Sequence, residues 1–378
     1  MKKGRIMNSR HEFICEYKNK NPKLSNREIA RKLNVGESSV RRALSNQVKA
    51  KNQSVIVIDP IDPLTRSKLI KILRKRFISL STLISEFNTS EVAICEAISH
   101  LDRSGYNVLW DDNRVRIAKQ SRYVKDKHID KSQLTNNVKV FGALSDTHLC
   151  SKYQRLDVLE DAYNEFAKRG ITEVYHGGNI VDGHTTFNRF EILCHGITDQ
   201  ALYVCDNYPQ RKGITTHFIT GSCHEGWWNA REGIDFGRYL MYEAQNMGRE
   251  DLNYLGFCEV DVKLNDKSNF MRIFHPGGGS SYAHSYVTQK IVESFQGGEK
   301  PGLMLVGHFH KALYHIVRNV HVIQLGCVQD ESRWMKNKRL AVHVGFWIIE
   351  VQQDQNGAVR RVTPTFTGYF DRKYHIVK

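Results

Sequence analysis

The chain has 378 residues, more than one compact domain normally needs, so two or three domains are expected. No apolar run approaches the ~20 residues that span a bilayer, and no apolar stretch follows the basic start, so neither a membrane span nor a secretory leader is expected. The net charge of +15 is lopsided: residues 1–136 hold 28 Lys+Arg against 14 Asp+Glu, and residues 137–378 hold 27 against 26. A basic first third ahead of a near-neutral remainder points to a polyanionic partner, most often nucleic acid; a solubilising tail is the blander alternative.

Residues 1–50 are expected to form a small helical unit. Phe13, Ile14 and Tyr17 mark one helix, and Ser25-Asn26-Arg27-Glu28 is a capping-box pattern opening another with Ile29, Ala30 and Leu33 on its apolar face. Asn34-Val35-Gly36 then makes a turn into a helix over 37–44, the helix-turn-helix spacing, with Ser38, Ser39, Arg41 and Arg42 as groove-facing candidates. Residues 51–64 read as a linker. Residues 65–119 read as a winged helix: three amphipathic helices, then a hairpin of residues 106–110 and 114–118. Its third helix carries Glu91 and Glu96, so Arg74, Lys75, Arg76, Arg114 and Arg116 are the better candidates for phosphate contacts. A winged helix can also be a protein-interaction module. Residues 120–136 form a second linker. As a targeting region, residues 1–136 are expected to be removable with great loss of DNA binding but with hydrolysis of a small aryl phosphodiester spared.

From Val138 strands and helices alternate, and the third domain is expected over 137–378. Apolar strands end just before Asp146-Thr147-His148, Gly178-Asn179-Ile180-Val181-Asp182, Cys223-His224-Glu225, His275 and Gly307-His308-Phe309-His310. Open α/β folds build their sites just past such strand ends. The eight cysteines form no CxxC pair, which argues against a zinc-finger framework or a disulfide scaffold and suits a reducing cytoplasm.

These five segments, in this order, resemble the signature of the calcineurin-like metallophosphoesterase superfamily, closest to its nuclease-like and phage-borne members. The resemblance covers residues 138–330. It implies a four-layer αββα sandwich with a two-metal site at one edge. Carried over by position, Asp146, His148 and His310 would hold one divalent ion, and Cys223, His275 and His308 the other, with Asn179 where the family places a bridging Asp. His224 would protonate the leaving oxygen, and Asp182 would orient His224. A water activated by both ions would attack the phosphate.

Two positions depart from the family pattern. Asn179 is neutral at the bridge, and Cys223 stands where a neutral Asn is usual. A Cys223 thiolate would restore the lost negative charge and favour zinc or iron over magnesium at the second site; for the pair, manganese, zinc or iron is expected rather than magnesium. As a free cysteine it can equally be a small buried hydrophobe. Trp227 and Trp228 can stack on a base or simply wall the His224 loop. His184, Arg231, Lys311 and Gly277-Gly278-Gly279 are further candidates by position alone.

The leading expectation is a metal-dependent phosphodiesterase acting on DNA: a cytoplasmic nuclease with no membrane partner and a homodimer left open. One alternative is a DNA-binding regulator whose phosphoesterase fold is no longer catalytic, which Asn179 favours. Another is a phosphomonoesterase or cyclic-nucleotide phosphodiesterase with an unrelated module in front.

Overall fold

The computed structural model describes Lys18, residues 25–33, Val40 and residues 63–119, 138–264 and 269–370. The chain divides into two compact units, residues 1–58 with 245–248 and the remainder. In the first, helix α1 (Asn26–Lys32) opens on the expected capping box. The Glu28 carboxylate accepts from the Ser25 N–H at 2.8 Å, and Ser25 Oγ accepts from the Glu28 N–H at 3.3 Å. Ser38, Ser39, Arg41 and Arg42 lie outside the described residues.

The second unit begins with a small α+β module. It runs α2 (Pro63–Leu73), β1 (Ile78–Ser79), α3 (Leu80–Phe87), α4 (Glu91–Arg103), β2 (Val108–Asp111) and β3 (Arg114–Ile117), with β3 between β1 and β2. Ser79 and Ser90 start α3 and α4 by accepting from the backbone N–H three residues on. Leu69, Leu73, Leu83, Ile98, Leu101 and Val115 form its core.

The larger part continues through β4 (Val138–Leu144), α5 (Leu156–Lys168), β5 (Glu173–His176), α6 (Ile197–Asn207), β6 (Thr215–Thr220), α7 (Gly226–Glu232), α8 (Phe236–Asn246) and β7 (Leu252–Phe257). Then come β8 (Glu259–Lys263), β9 (Phe270–Phe274), α9 (Tyr286–Ser294), β10 (Leu303–Val306), β11 (Ala312–Val317), β12 (Val320–Leu325), α10 (Arg333–Lys338), β13 (Val344–Gln353) and β14 (Val359–Tyr369). One sheet has the order β14-β13-β4-β5-β6-β7, with β4 to β7 parallel and β13 antiparallel to both its neighbours. The other has the order β11-β12-β10-β9-β8, parallel through its three middle strands.

Strand periodicity sorts the side chains into layers. Phe141 and Ala143 of β4 join Tyr175, Ile219, Met271, Ile273 and Leu305 in a core between the two sheets. Leu144 packs instead with Val158, Leu159, Tyr163 and Phe166 of α5. On the far side of the second sheet, Val292 of α9 packs with Met304, Val306 and Val322. The result is helix, sheet, sheet, helix, an α/β fold built on two mixed sheets. Among the described residues no helix is long and apolar enough to cross a membrane.

The α+β module is not detachable in the way the sequence suggests. Ile234, in the turn after α7, is buried in the module's own core. It pairs with Tyr106 in an antiparallel bridge flanked by Asn107 N–H to Gly233 O and Asp235 N–H to Gly105 O, both 2.9 Å. Asn107 Nδ2 donates to Asn229 Oδ1 of α7 at 2.8 Å, with both side chains buried. Removing residues 1–136 would therefore strip the cover from Ile234 and Asn229, so the expected sparing of hydrolysis does not follow from this structure.

Candidate metal centre

Each proposed ligand sits just past the C-terminal end of a parallel strand: Asp146 after β4, Asn179 after β5, Cys223 after β6, His275 after β9 and His308 after β10. The backbone there is unusual. Asp146, His148, Asn179, His308 and His310 all have positive φ, between 44° and 79°. Left-handed backbone at non-glycine residues persists only where surrounding contacts hold it, and it gathers at functional sites.

Asp146 is the hub. Its Oδ2 accepts from Ser145 Oγ at 2.5 Å and from the His308 N–H at 2.9 Å, which fixes the carboxylate. Oδ1 lies 3.3 Å from His310 Nε2, 3.7 Å from His148 Nε2 and 4.0 Å from His275 Nε2. His148 Nε2 and His310 Nε2 are 3.3 Å apart. Burial works against the charge on Asp146, but His310 and His275 outweigh it and hold the carboxyl well below its usual range.

The set fits a divalent ion quantitatively. Metal bonds of about 2.0–2.1 Å in tetrahedral array place ligand atoms about 3.4 Å apart, and Asp146, His148 and His310 form a triangle with edges of 3.3, 3.3 and 3.7 Å. His148 Nδ1 donates to Asp182 Oδ1 at 2.8 Å, which leaves Nε2 as the nitrogen for an ion, the carboxylate–histidine arrangement of metal sites.

A second position is outlined by unpartnered atoms. His275 donates from Nδ1 to Gly177 O at 2.7 Å, so its buried Nε2 carries a lone pair with no partner among the described residues. Asn179 Oδ1 is likewise buried and unpartnered, while its Nδ2 donates to Asp146 Oδ1 at 3.2 Å. A Cβ at Gly221 would lie 2.6 Å from Asn179 Oδ1 and 2.8 Å from His275 Nε2, so glycine there keeps the space between them open.

The rest of the expected second set does not close. Among the described residues, the groups whose ligand atoms mutually approach are Asp146, His148, His310 and, separately, His148, Asp182, His224. Cys223, His275 and His308 are not such a group. His308 turns Nε2 to the Gly278 carbonyl at 2.8 Å, and Cys223 is exposed and pairs with His308, which draws its thiol pKa down.

Asp182 serves two histidines rather than one. Besides His148, it holds His224, whose Nδ1 donates to the Asp182 carbonyl at 2.8 Å and lies 3.3 Å from Oδ1. Burial opposes its charge, yet the bonds to His148 and His224 keep this carboxyl well below the usual range. Asn188 Nδ2 braces the same residue through its carbonyl (2.8 Å) and Oδ2 (3.0 Å). His224 is a third exposed and lines a cleft of about 270 Å³ with Asn179, Cys223, His308 and His310.

Glu225 had no assigned role in the sequence. It is buried and accepts from the Asn179 and Gly221 N–H groups at 3.0 Å and from Val181 N–H at 3.4 Å, tying two ligand loops together. Burial pushes its carboxyl up to about 8. Its place directly after the proposed proton donor, in Cys223-His224-Glu225, is the only signal the sequence carries.

Other candidates are placed elsewhere. Arg74 donates to the Glu232 carbonyl at 2.9 Å and pairs with its carboxylate. Arg114 pairs with Asp111, and Arg114 and Arg116 both lie over Phe77. Lys75 and Arg76 are exposed. Lys311 is buried with its ammonium on the Ala341 carbonyl, Gly278 presents a carbonyl rather than an amide, and Trp228 is core. His184 stacks on Trp227 and takes no part in the ligand groups.

No family model matches the chain, and no curated protein does. Solved structures similar to it include an archaeal phosphodiesterase (14% identity over 61% of this chain and 100% of that one, TM-score 0.33). Vacuolar protein sorting 29 from Cryptosporidium parvum is another, at 8% identity over 61% of this chain and 98% of that one, TM-score 0.30. A putative 5′-nucleotidase from Staphylococcus aureus is a third, at 12% identity over 62% of this chain and 55% of that one, TM-score 0.34. Likenesses of this size decide nothing about activity.

Proposed function

We propose that this chain is a metal-dependent phosphodiesterase of the calcineurin-like type acting on nucleic acid. The observation that carries the proposal is the buried Asp146, His148 and His310 triangle with edges near the tetrahedral spacing. Divalent ions held there, and against His275 and Asn179, would supply Lewis-acid stabilisation of phosphoryl charge and lower the pKa of an attacking water. Asp182 orients His148 and His224 together, so the ligand and the proton donor share one brace. His224, with Nδ1 committed inward, has Nε2 left to give a proton to the leaving oxygen in the cleft. The excess of positive charge in residues 1–136 supports a nucleic-acid substrate, held by salt-sensitive phosphate contacts.

A second reading, a non-catalytic DNA-binding regulator, is favoured by Asn179, whose amide already occupies Asp146 Oδ1. Hydrolysis of labelled single- and double-stranded DNA with manganese, zinc, iron or magnesium separates the two. Metal-dependent cleavage that His224→Ala abolishes is the expected result. Salt-sensitive binding without cleavage under any of these ions would overturn the phosphodiesterase and leave the regulator.

A further inference from the structure

Beside the ligand cleft lies a second cavity of about 600 Å³, within the range of small-molecule sites. Cys223, His224, Trp334 and Met335 wall both spaces, so a group filling the larger one can be covalently attached to a phosphate in the smaller. The larger cavity is faced by Tyr153, Phe187, Trp227 and Trp334. Phe187 is 85% exposed and Trp334 51%, large rings that the fold itself leaves uncovered. Trp227 is steadied by His184, stacked at 21°, and by the Arg231 guanidinium 4.6 Å from its ring centroid.

Charge selects the occupant. None of the described residues lining this cavity is Lys or Arg, and Asp182 and Glu191 both line it, so a phosphate is disfavoured there. The occupant is therefore not anionic; the aromatic walls suit a flat group tethered to the phosphate that sits over the ligands. The amide best shaped to read its edge is already committed. Asn188, which could, already donates to Asp182 and accepts from the Thr185 N–H and hydroxyl.

The geometry points to a nucleobase subsite: the cavity takes the base of the nucleoside that carries the leaving oxygen, turned out of any stack. The inference rests on the phosphodiesterase proposal and narrows its substrate to a strand that is single or locally unpaired at the cut, because a stacked base cannot enter a pocket. Aromatic walls accept any base face, so the subsite tolerates sequence.

The test is calorimetric binding to the full chain, with manganese, of deoxyadenosine 5′-phosphate, deoxyribose 5-phosphate and decyl phosphate. The nucleotide should bind about tenfold tighter than the sugar phosphate, the scale of one base–aromatic stack. Ala230→Trp, which fills the cavity from an exposed wall position, should remove that advantage and leave the sugar phosphate unaffected. Equal or undetectable binding of the first two ligands overturns the subsite. Tighter binding of decyl phosphate than of the nucleotide also overturns it and assigns the cavity to a hydrocarbon chain. Affinity is read without turnover, so a base preference can stand where cleavage fails, and cleavage without a base preference sinks the subsite alone.

Discussion

Asn179→Asp separates a metal site from a merely polar core. Asn179 Nδ2 lies 3.2 Å from Asp146 Oδ1, and both side chains are buried. Replacing the donor by a carboxylate oxygen sets two negative charges at that separation, about 5 kcal/mol of repulsion at an effective dielectric near 20. Protonating one acid limits the cost to about 4 kcal/mol at pH about 7, at roughly 1.4 kcal/mol for each unit above an ordinary Asp pKa. The lost hydrogen bond adds about 1 kcal/mol. The metal-free variant should therefore be less stable than the parent by about 4–5 kcal/mol. A divalent ion between the two carboxylates reverses the sign, so the variant should bind manganese or zinc more than tenfold tighter. Urea unfolding in chelator and with added metal, with calorimetric titration of the ion, measures both arms. A metal-free variant as stable as the parent, with unchanged ion affinity, would show that positions 146 and 179 do not share an ion.

Three further outcomes are expected. Glu225→Ala leaves three backbone N–H groups, of Asn179, Gly221 and Val181, without their acceptor, and should cost about 3 kcal/mol or more by urea unfolding; Glu225→Gln, which keeps the oxygen taken by two of them, should cost less. Ile234→Ala should cost about 3 kcal/mol and speed proteolysis of residues 63–119, because its side chain belongs to that module's core; parental stability would mean the module is loosely attached. Burial lowers the His176 pKa to about 3, and its neutral ring accepts from the Gly178 N–H and bonds Thr147 Oγ1. The folded pKa is depressed, so its contribution is full above about pH 6.5 and is lost as pH falls toward 3, about 2 kcal/mol by pH 5; His176→Gln should flatten that slope in unfolding curves.

What the sequence displays and what it conceals divide along a physical line. Strand ends are local: an apolar run that stops at Asp146, Asn179, His275 or His308 is visible without any partner, and these residues do follow β4, β5, β9 and β10. The capping box at Ser25 and Glu28 is local too, closed within one turn. What consumes a donor or a charge is not local. Arg74 reads as free for a phosphate until Glu232, 158 residues on, takes it. Ile234, too, completes the core of the module over 63–119, a contact no local pattern displays. Chain adjacency does not set side-chain direction either: Cys223 stands directly before His224, yet its thiol meets His308, whose Nε2 is turned to the Gly278 carbonyl. Asp182 repeats the point with the opposite sign. Its pairing with His224 was legible from the motif, and its pairing with His148 was not, because that contact exists only where the loops after β4 and β5 are brought side by side. One carboxylate therefore couples the ligand that would carry an ion to the histidine that would carry a proton. A change at either histidine should be felt at the other through Asp182, with no contact to the phosphate required.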